Sequence, residues 1–196
     1  MLSGGLDSVY SLYRMLKEVD DEILVHHVHL INPENRHIAE ARSCELVMDY
    51  CRQEFGDIPY SESTVDHSMF NRFGYDMFIV AYIAGIITRD YAEKTGKQIA
   101  RWICGNCLEE GHGNPERSVY MHRISAASSY PFNGPRCDAL EPYISKADQV
   151  GYLPKELAVG AWSCRNPVWT VQGPQECGQC HTCEIIQPAR KQFHRV

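Results

Sequence analysis

The stretch Ser3-Gly4-Gly5-Leu6-Asp7-Ser8 constrains this chain most, because an amphipathic helical pattern follows it directly. One face of that pattern repeats at helical spacing: Val9, Leu12, Tyr13 and Leu16. Consecutive glycines let the backbone take positive φ angles and approach a ligand closely. Backbone N–H groups at a helix start converge on one point, with the helix dipole behind them. The stretch therefore predicts a loop that binds phosphate or pyrophosphate.

Three side chains of this loop are candidates for contacts with such an anion. The hydroxyls of Ser3 and Ser8 add donors at its rim. The Asp7 carboxylate repels a phosphate unless a Mg²⁺ ion bridges the two, which makes Asp7 a candidate metal-holding residue. The alternative is an acid that stabilises the helix start. The Gly-Lys-Ser/Thr ending of a Walker A loop is missing.

Composition narrows the class of protein. The 196 residues carry a formal net charge of −6, which argues against a large nucleic-acid surface. Residues 77–87 form the longest apolar run and are too few to span a bilayer. Nine cysteines without a secretory leader favour metal or redox chemistry in a reducing compartment. We therefore expect a cytoplasmic protein with no membrane partner and no direct nucleic-acid partner.

Strand-like and helix-like runs alternate after the first helix. Runs of strand character cover residues 22–31, 60–65 and 99–104. Helical patterns cover about 41–55, 75–93 and 118–129. This alternation predicts an α/β fold with a doubly wound parallel sheet.

Three histidines lie in the first strand-like run, at His26, His27 and His29. On a strand, His27 and His29 share one face while His26 points to the other. No further ligand stands nearby in sequence, so we favour hydrogen-bonded strand histidines over a metal site.

Four cysteines in the first part of the chain have two interpretations each. Cys44 and Cys51 fall on the apolar face of a helical pattern, which favours packed thiols over ligands. Cys104 and Cys107 form a C-x-x-C pair, which is half of a four-ligand set. We favour packed or adjacent thiols there over a second metal site.

Residues 105–117 form an irregular, polar, glycine-rich segment after a predicted strand. Open α/β sheets bind ligands at the carboxyl ends of their strands, so this segment is our candidate substrate loop. Further along, Ser145 and Asp148 have capping-box spacing, which places Lys146 in the first turn of a helix. A cation there opposes the helix dipole. Lys146 therefore either contacts an ATP phosphate or is simply exposed to solvent.

A second cysteine group lies near the end of the chain, at Cys164, Cys177, Cys180 and Cys183. Four thiolates at this spacing fit a closed, tetrahedral and hence structural zinc site. The competing interpretations are an iron–sulfur cluster, a disulfide pair, and His181 in place of one cysteine. We favour zinc, because the Cys-Pro that trails ferredoxin-type cysteine runs is missing.

The glycine-rich loop resembles the Ser-Gly-Gly-x-Asp-Ser loop of the N-type ATP pyrophosphatases, which cleave ATP between its α and β phosphates to form adenylates. The loop and the cysteine pattern together resemble the 7-cyano-7-deazaguanine synthase family over nearly the whole chain. Four further segments are similar to that family: Arg36–Glu40, Gly113–Arg117, Ile144–Asp148 and Trp162–Cys164.

The resemblance implies an adenine nucleotide alpha hydrolase-like, Rossmann-like domain over residues 1–163 and a zinc-binding element over 164–196. In such a domain a buried parallel strand leads into the loop. Only Met1 and Leu2 precede the loop here, so we expect a truncated first strand. The family also implies a homodimer in the cytoplasm, or in the host cytoplasm if the gene is a phage gene.

The implied reaction converts 7-carboxy-7-deazaguanine and ammonia to the nitrile through an adenylate, with ATP and Mg²⁺. Asp7 and Lys146 are the implied catalytic residues, and one structural Zn²⁺ is held by the four cysteines. The implied ATP-binding residues are Leu2, Ser3, Gly4, Gly5, Leu6, Asp7 and Ser8.

Departures from the family keep other functions open. Residues 73–76 read Phe-Gly-Tyr-Asp where the family has Pro-Gly-Arg-Asn, the spacing from Cys164 to Cys177 is longer, and Asn114 and Glu116 replace a tyrosine and an aspartate. One alternative is a related ligase for another carboxylate, such as a base in phage DNA or a protein terminus in a defence system. Another is a tRNA-thiolating enzyme, although that needs a catalytic cysteine and the acidic pI counts against it. The last is a non-catalytic nucleotide- or zinc-binding module.

Overall fold

Helices and strands alternate along most of the chain, as the hydrophobic periodicities predict. The computed structural model describes residues 1–70, 75–110 and 115–194. The helices are α1 (Leu6–Glu18), α2 (His37–Phe55), α3 (Asp76–Thr95), α4 (Pro115–Ser128), α5 (Lys146–Tyr152), α6 (Lys155–Gly160) and α7 (His181–His194). The strands are β1 (Val25–Ile31), β2 (Tyr60–Asp66), β3 (Arg101–Ile103), β4 (Arg136–Asp138), β5 (Val168–Thr170) and β6 (Gly173–Gln175).

The larger of two apolar clusters surrounds α1. The predicted helical face is confirmed, since Val9, Leu12 and Tyr13 are buried there. Side chains from α2, α5, α6 and α7 complete this cluster. The smaller cluster holds Trp102 of β3 among residues of α3 and α4. Because α7 packs on α5, the cysteine-bearing end contacts the rest of the chain, and its division at residue 163 stays a prediction.

The sheets are parallel but short. Strands β1 and β2 pair in parallel from Val25–Tyr60 to Ile31–Asp66. Strands β3 and β4 form a second parallel pair, and β5 and β6 form an antiparallel hairpin. The α/β class and the parallel pairing are thus confirmed. The described residues form three two-stranded sheets, however, and the continuous doubly wound sheet is not confirmed.

Met1 and Leu2 lie between the two parallel pairs. The Leu2 N–H donates to the His26 carbonyl of β1 at 2.8 Å, and the Met1 amine donates to the Ile103 carbonyl of β3 at 3.1 Å. Consecutive residues of a central parallel strand bond to opposite neighbours in this way. A slot of about 350 Å³ lies beside these two residues, lined by residues 21–26 and 97–103 and by residues of α1 and α3.

The strand histidines are hydrogen-bonded, as predicted. His26 contacts the Ser61 and Ser63 hydroxyls of β2 at 2.8 and 2.9 Å. On the opposite face, the rings of His27 and His29 stack edge-on with centroids 4.4 Å apart. Burial lowers the pKa of His26 to about 4, and the neighbouring positive charges act in the same direction. Both His26 and His27 are therefore neutral, buried members of β1.

The end of α3 has the residues typical of a helix C-terminus. The helix ends at Gly96, which takes a left-handed φ of +70°, and the basic Lys94 lies in its last turn, where the sequence places it.

No helix within the described part of the chain has the length and apolar character needed to cross a membrane.

An apolar strand fused in front of Met1 should stabilise the fold, because Met1 and Leu2 already bond to β3 on one side and to β1 on the other. We expect five or six β-branched residues to raise the melting temperature by roughly 5 °C. Circular dichroism measures the shift, and a Gly-Ser extension of equal length is the control. Equal melting temperatures for the two extensions would show that the slot does not accept a strand.

Stability should fall on acidification because β1 holds His26 neutral. The unfolded chain binds the proton near pH 6.5 and the folded chain only near pH 4, so stability is lost as the pH falls through this window. Between pH 7 and pH 5 the His26 contribution amounts to about 2 kcal/mol. Urea unfolding at both pH values should show that His26→Gln flattens this dependence. The exposed-histidine control His122→Gln should keep it, and an unchanged slope in His26→Gln would contradict the assignment.

Candidate functional site

The predicted anion loop turns at a single left-handed glycine. Gly4 has a φ of +74°, and a Cβ there would approach the Glu40 carbonyl oxygen of α2 to 2.6 Å. Gly5 has a φ of −75° and extended backbone. Only Gly4, and not both glycines as predicted, needs the conformational freedom of glycine.

Two distant segments hold the loop in place. The Gly4 carbonyl accepts hydrogen bonds from the Trp162 N–H and the Ser43 hydroxyl, both at 2.7 Å. The Leu6 N–H donates to the Ser163 hydroxyl at 2.9 Å. The side chains of Leu2 and Leu6 are buried in the core, so both residues contribute to the loop through their backbones.

The two loop serines have different positions. Ser8 is buried, and its hydroxyl accepts from the Ser3 N–H at 3.1 Å and donates to the Gly5 carbonyl at 2.9 Å. It therefore closes the loop instead of standing at the rim, where the sequence places it. The Ser3 side chain is exposed. Within the described residues, the N–H groups of Gly4 and Asp7 have no hydrogen-bond partner. Gly4 is buried and does not line the cavity beside the loop, so of these two groups only the Asp7 N–H belongs to a residue of the cavity wall.

The structure brings Asp7 and Lys146 together. Lys146 Nζ donates to Asp7 Oδ2 at 2.6 Å, across 139 residues of sequence. The other oxygen, Asp7 Oδ1, is buried and has no partner among the described residues. A buried carboxylate oxygen without a partner suits a hard cation, so Asp7 fits a role in holding Mg²⁺.

The start of α5 explains how Lys146 is tolerated in a first turn. Ser145 and Asp148 form the predicted cap, with the Asp148 N–H donating to the Ser145 hydroxyl at 3.0 Å. The Glu109 carboxylate accepts from the Lys146 N–H at 2.9 Å and offsets the positive end of the helix. Lys146 is only 5% exposed, so the solvent-exposed alternative is wrong.

A cavity of about 1220 Å³ opens beside the loop at the carboxyl ends of β1 and β3. Arg36 lies on its wall and pairs with Glu34 at 2.6 Å, Glu40 at 2.7 Å and Asp76 at 3.7 Å. Burial raises the pKa of Glu40, although Arg36 opposes this shift. The wall therefore carries three carboxyl groups around one guanidinium.

A flat surface forms another part of the cavity wall. The Arg117 guanidinium lies 4.6 Å from the centroid of the Tyr75 ring, and both residues line the cavity. Arg117 belongs to the predicted substrate loop, whose residues 111–114 lie outside the described residues. Phe73 and Gly74, which carry one departure from the family pattern, lie outside them as well.

Two cavity cysteines come together without a sequence signal. Cys104 directly follows β3 and Cys137 lies in β4, the strand that pairs with it. Their sulfurs are 3.9 Å apart. Next in sequence, Gly105 packs so closely that a Cβ there would overlap the backbone of Asp7 and Ser8. Among the described residues, the C-x-x-C at Cys104 and Cys107 belongs to no cluster of metal-ligating groups. Cys44 and Cys51 are packed thiols, as predicted.

The four C-terminal cysteines form a candidate metal centre. Ligand atoms of Cys164, Cys177, Cys180 and Cys183 all lie within 4.8 Å of one another. The Cys180 N–H donates to the Cys177 sulfur at 3.3 Å, and Gly178 turns the chain between them with a φ of +70°. Burial disfavours the Cys180 thiolate, but hydrogen bonds from backbone N–H groups and neighbouring thiols lower its pKa to about 6. The donor set fits Zn²⁺ without His181, whose side chain is exposed.

The hairpin of β5 and β6 occupies the long spacer between Cys164 and Cys177. Arg190 of α7 then ties this end of the chain to the body. Its guanidinium donates to the carbonyls of Ala158 and Ala161 at 2.8 and 2.6 Å, and pairs with Glu176 at 2.8 Å.

Loss of the metal should lower stability and loosen the loop at residues 3–8, because Cys164 directly follows Trp162 and Ser163, which bond to that loop. Elemental analysis should find one zinc per chain. We expect Cys180→Ser to lose the zinc, lower the melting temperature and speed amide hydrogen exchange at residues 3–8. Cys51→Ala, which removes a buried thiol outside the tetrad, should keep the zinc and the slow exchange of the loop. Iron in place of zinc, or unchanged exchange of the loop in metal-free protein, would contradict this.

The chain was compared with known proteins. No family model, no curated protein and no solved structure matches it.

Proposed function

We propose that this protein is an ATP-dependent ligase that converts 7-carboxy-7-deazaguanine and ammonia to 7-cyano-7-deazaguanine through an adenylate. The observation that carries the proposal is the loop at residues 3–8. Its shape is fixed by other parts of the chain, and it brings the unpartnered Asp7 N–H and the Asp7–Lys146 pair to one cavity. A site with preorganised donors, one lysine and one carboxylate suits a polyphosphate with its metal ion.

Each loop residue has a distinct part in this proposal. The Asp7 N–H group binds a phosphate oxygen, supported by the dipole at the start of α1, while Gly4 provides the left-handed turn that shapes the loop. Ser3 adds its exposed hydroxyl, while Ser8 keeps the loop closed. Asp7 Oδ1 would hold Mg²⁺, which neutralises charge on the leaving pyrophosphate when it is bound.

Lys146 can serve both states of the site. Without nucleotide, its ammonium pairs with the partly buried Asp7 carboxylate at 2.6 Å. With nucleotide, it stays within reach of the same cavity and stabilises negative charge as the α phosphate is attacked. Glu109 keeps the backbone of Lys146 in place during this exchange of partners.

The cavity wall supports a planar acid as the second substrate. The stacked Tyr75 and Arg117 offer a flat face for a heterocyclic base. The carboxyl groups paired with Arg36 are acceptors suited to the amino and ring N–H edge of a guanine-like base. We extend the proposal to the fold, in which the β2–β1 and β3–β4 pairs are the two halves of one doubly wound sheet.

The test is product analysis with purified protein, ATP, Mg²⁺, ammonium and 7-carboxy-7-deazaguanine. We expect AMP, pyrophosphate and the nitrile by mass spectrometry. Asp7→Asn keeps the size of the side chain but removes its charge, and should slow pyrophosphate release by about 100-fold or more. Asp20→Asn, at an exposed aspartate just after α1, is the matched control and should remain active.

The result separates the alternatives. If pyrophosphate is released only with a different carboxylate, the proposed adenylation chemistry stands and 7-carboxy-7-deazaguanine is not the substrate. If zinc-loaded protein releases no pyrophosphate with any carboxylate tried, the enzymatic proposal is wrong and a nucleotide- or zinc-binding module takes its place.

A further inference from the structure

We propose that Cys104 is a catalytic nucleophile that takes the acyl group from the adenylate, and that Cys137 is its positioning residue. This inference rests on the proposed function, since the thiol acts on the adenylate that ATP and the carboxylate form. It adds a covalent acyl-enzyme step between adenylation and the attack of ammonia.

Position is the first support. Cys104 directly follows β3 and lines the same cavity as Ser3, Asp7 and Lys146. It is joined to the anion loop through Gly105, whose Cα hydrogens face the backbone of Asp7 and Ser8 without room for a Cβ. A thiol at residue 104 therefore lies next to the loop on which the adenylate would form and lines the same cavity.

The second support is the pairing of the two thiols. Cys137 lies in β4, also lines the cavity, and its sulfur is 3.9 Å from that of Cys104. A hydrogen bond from the Cys137 thiol lowers the pKa of Cys104, while the same contact raises the pKa of Cys137. The contact therefore favours the thiolate form of Cys104 with Cys137 as its hydrogen-bond donor, and an activated nucleophile needs such a donor.

Other cysteines of the chain lack either the access to the cavity or the freedom from other roles that Cys104 has. Cys44 and Cys51 are fully buried in the core, and burial raises the pKa of Cys51 to about 12. Neither lines the cavity, and the cysteines of the metal centre are committed to their tetrad. Among these thiols, only the Cys104–Cys137 pair combines access to the cavity with a stabilised thiolate.

The chemical step is balanced without a further reagent. The Cys104 sulfur attacks the carbonyl carbon of the adenylate, a C–S bond forms, and the C–O bond to AMP breaks with its electron pair leaving on AMP. Ammonia then attacks the thioester, a C–N bond forms, and the C–S bond breaks to restore the thiolate. The attacking nitrogen loses a proton to solvent, which leaves the amide. A second ATP then adenylates the amide oxygen with release of pyrophosphate, and the C–O bond breaks to give AMP, the nitrile and a second proton.

The test uses full-length protein with ATP, Mg²⁺ and 7-carboxy-7-deazaguanine but without ammonium. Intact-protein mass spectrometry should show an adduct of the acid less one water, which hydroxylamine removes. Cys104→Ala should lose the adduct and slow nitrile formation by about 100-fold. Its ATP–pyrophosphate exchange, which needs only the adenylation step, should stay within about threefold of the unaltered protein. Cys51→Ala is the control with a thiol removed elsewhere.

Failure of this inference is distinguishable from failure of the proposed function. Exchange together with undiminished nitrile formation in Cys104→Ala would overturn the acyl-enzyme step and leave the ligase. If the intact protein instead loses the mass of two hydrogens, forms no acyl adduct and regains the mass with dithiothreitol, Cys104 and Cys137 form a disulfide. That result would overturn the acyl-enzyme step in favour of a redox-active cysteine pair. No exchange in the unaltered protein would overturn both.

The role of Cys137 has its own readout. Cys137→Ala should raise the pH at which iodoacetamide alkylates Cys104 at half its maximal rate, and should slow adduct formation without abolishing it. ATP–pyrophosphate exchange should not change. An unaltered alkylation profile would show that Cys137 does not position the nucleophile.

Discussion

The carbonyl oxygen of Gly4 accepts two hydrogen bonds from parts of the chain that are far apart in sequence. One comes from Ser43 on α2 and the other from Trp162, just before the cysteine tetrad. A buried carbonyl has two acceptor positions, and here both are used. The conformation of the loop is therefore determined by its surroundings, so the polyphosphate that we propose as its ligand would meet donors that are already in place. Such preorganisation lowers the cost of binding and of charge development.

Because Trp162 helps to fix the conformation of the loop, the cysteine tetrad that follows it in sequence also influences the loop. Trp162 and Ser163 bond to the loop, and the next residue, Cys164, is a candidate metal ligand. The free energy of metal binding becomes folding free energy for the segment that contains the ligands. The Arg190 guanidinium adds a second link, since it joins α7 to carbonyls at the end of α6. A closed metal site without a position for water can thus support chemistry at a site in which it takes no part.

The sequence predicts those features that depend on neighbours along the chain. The helices follow from periodicity, the α5 cap from Ser145 and Asp148, and the tetrad from closely spaced cysteines. Contacts that depend on strand register leave no local pattern. Cys137 lies in a three-residue strand and meets Cys104 only because β3 and β4 pair as they do. The Lys146–Asp7 pair spans 139 residues and is equally invisible in sequence.

The two parallel pairs of strands meet along a line where few backbone hydrogen bonds cross. Leu2 bonds to one pair, Met1 bonds to the other, and the slot lies directly beside them. Regions with few packed contacts deform most easily, so the two pairs of strands move relative to each other more readily along this line than elsewhere. Glu34, Arg36 and Glu40 follow β1 of one pair, and Cys104 and Cys137 lie at the other pair. A rotation of one pair against the other along this line would therefore change the width of the cavity and the distance from Arg36 to the two thiols.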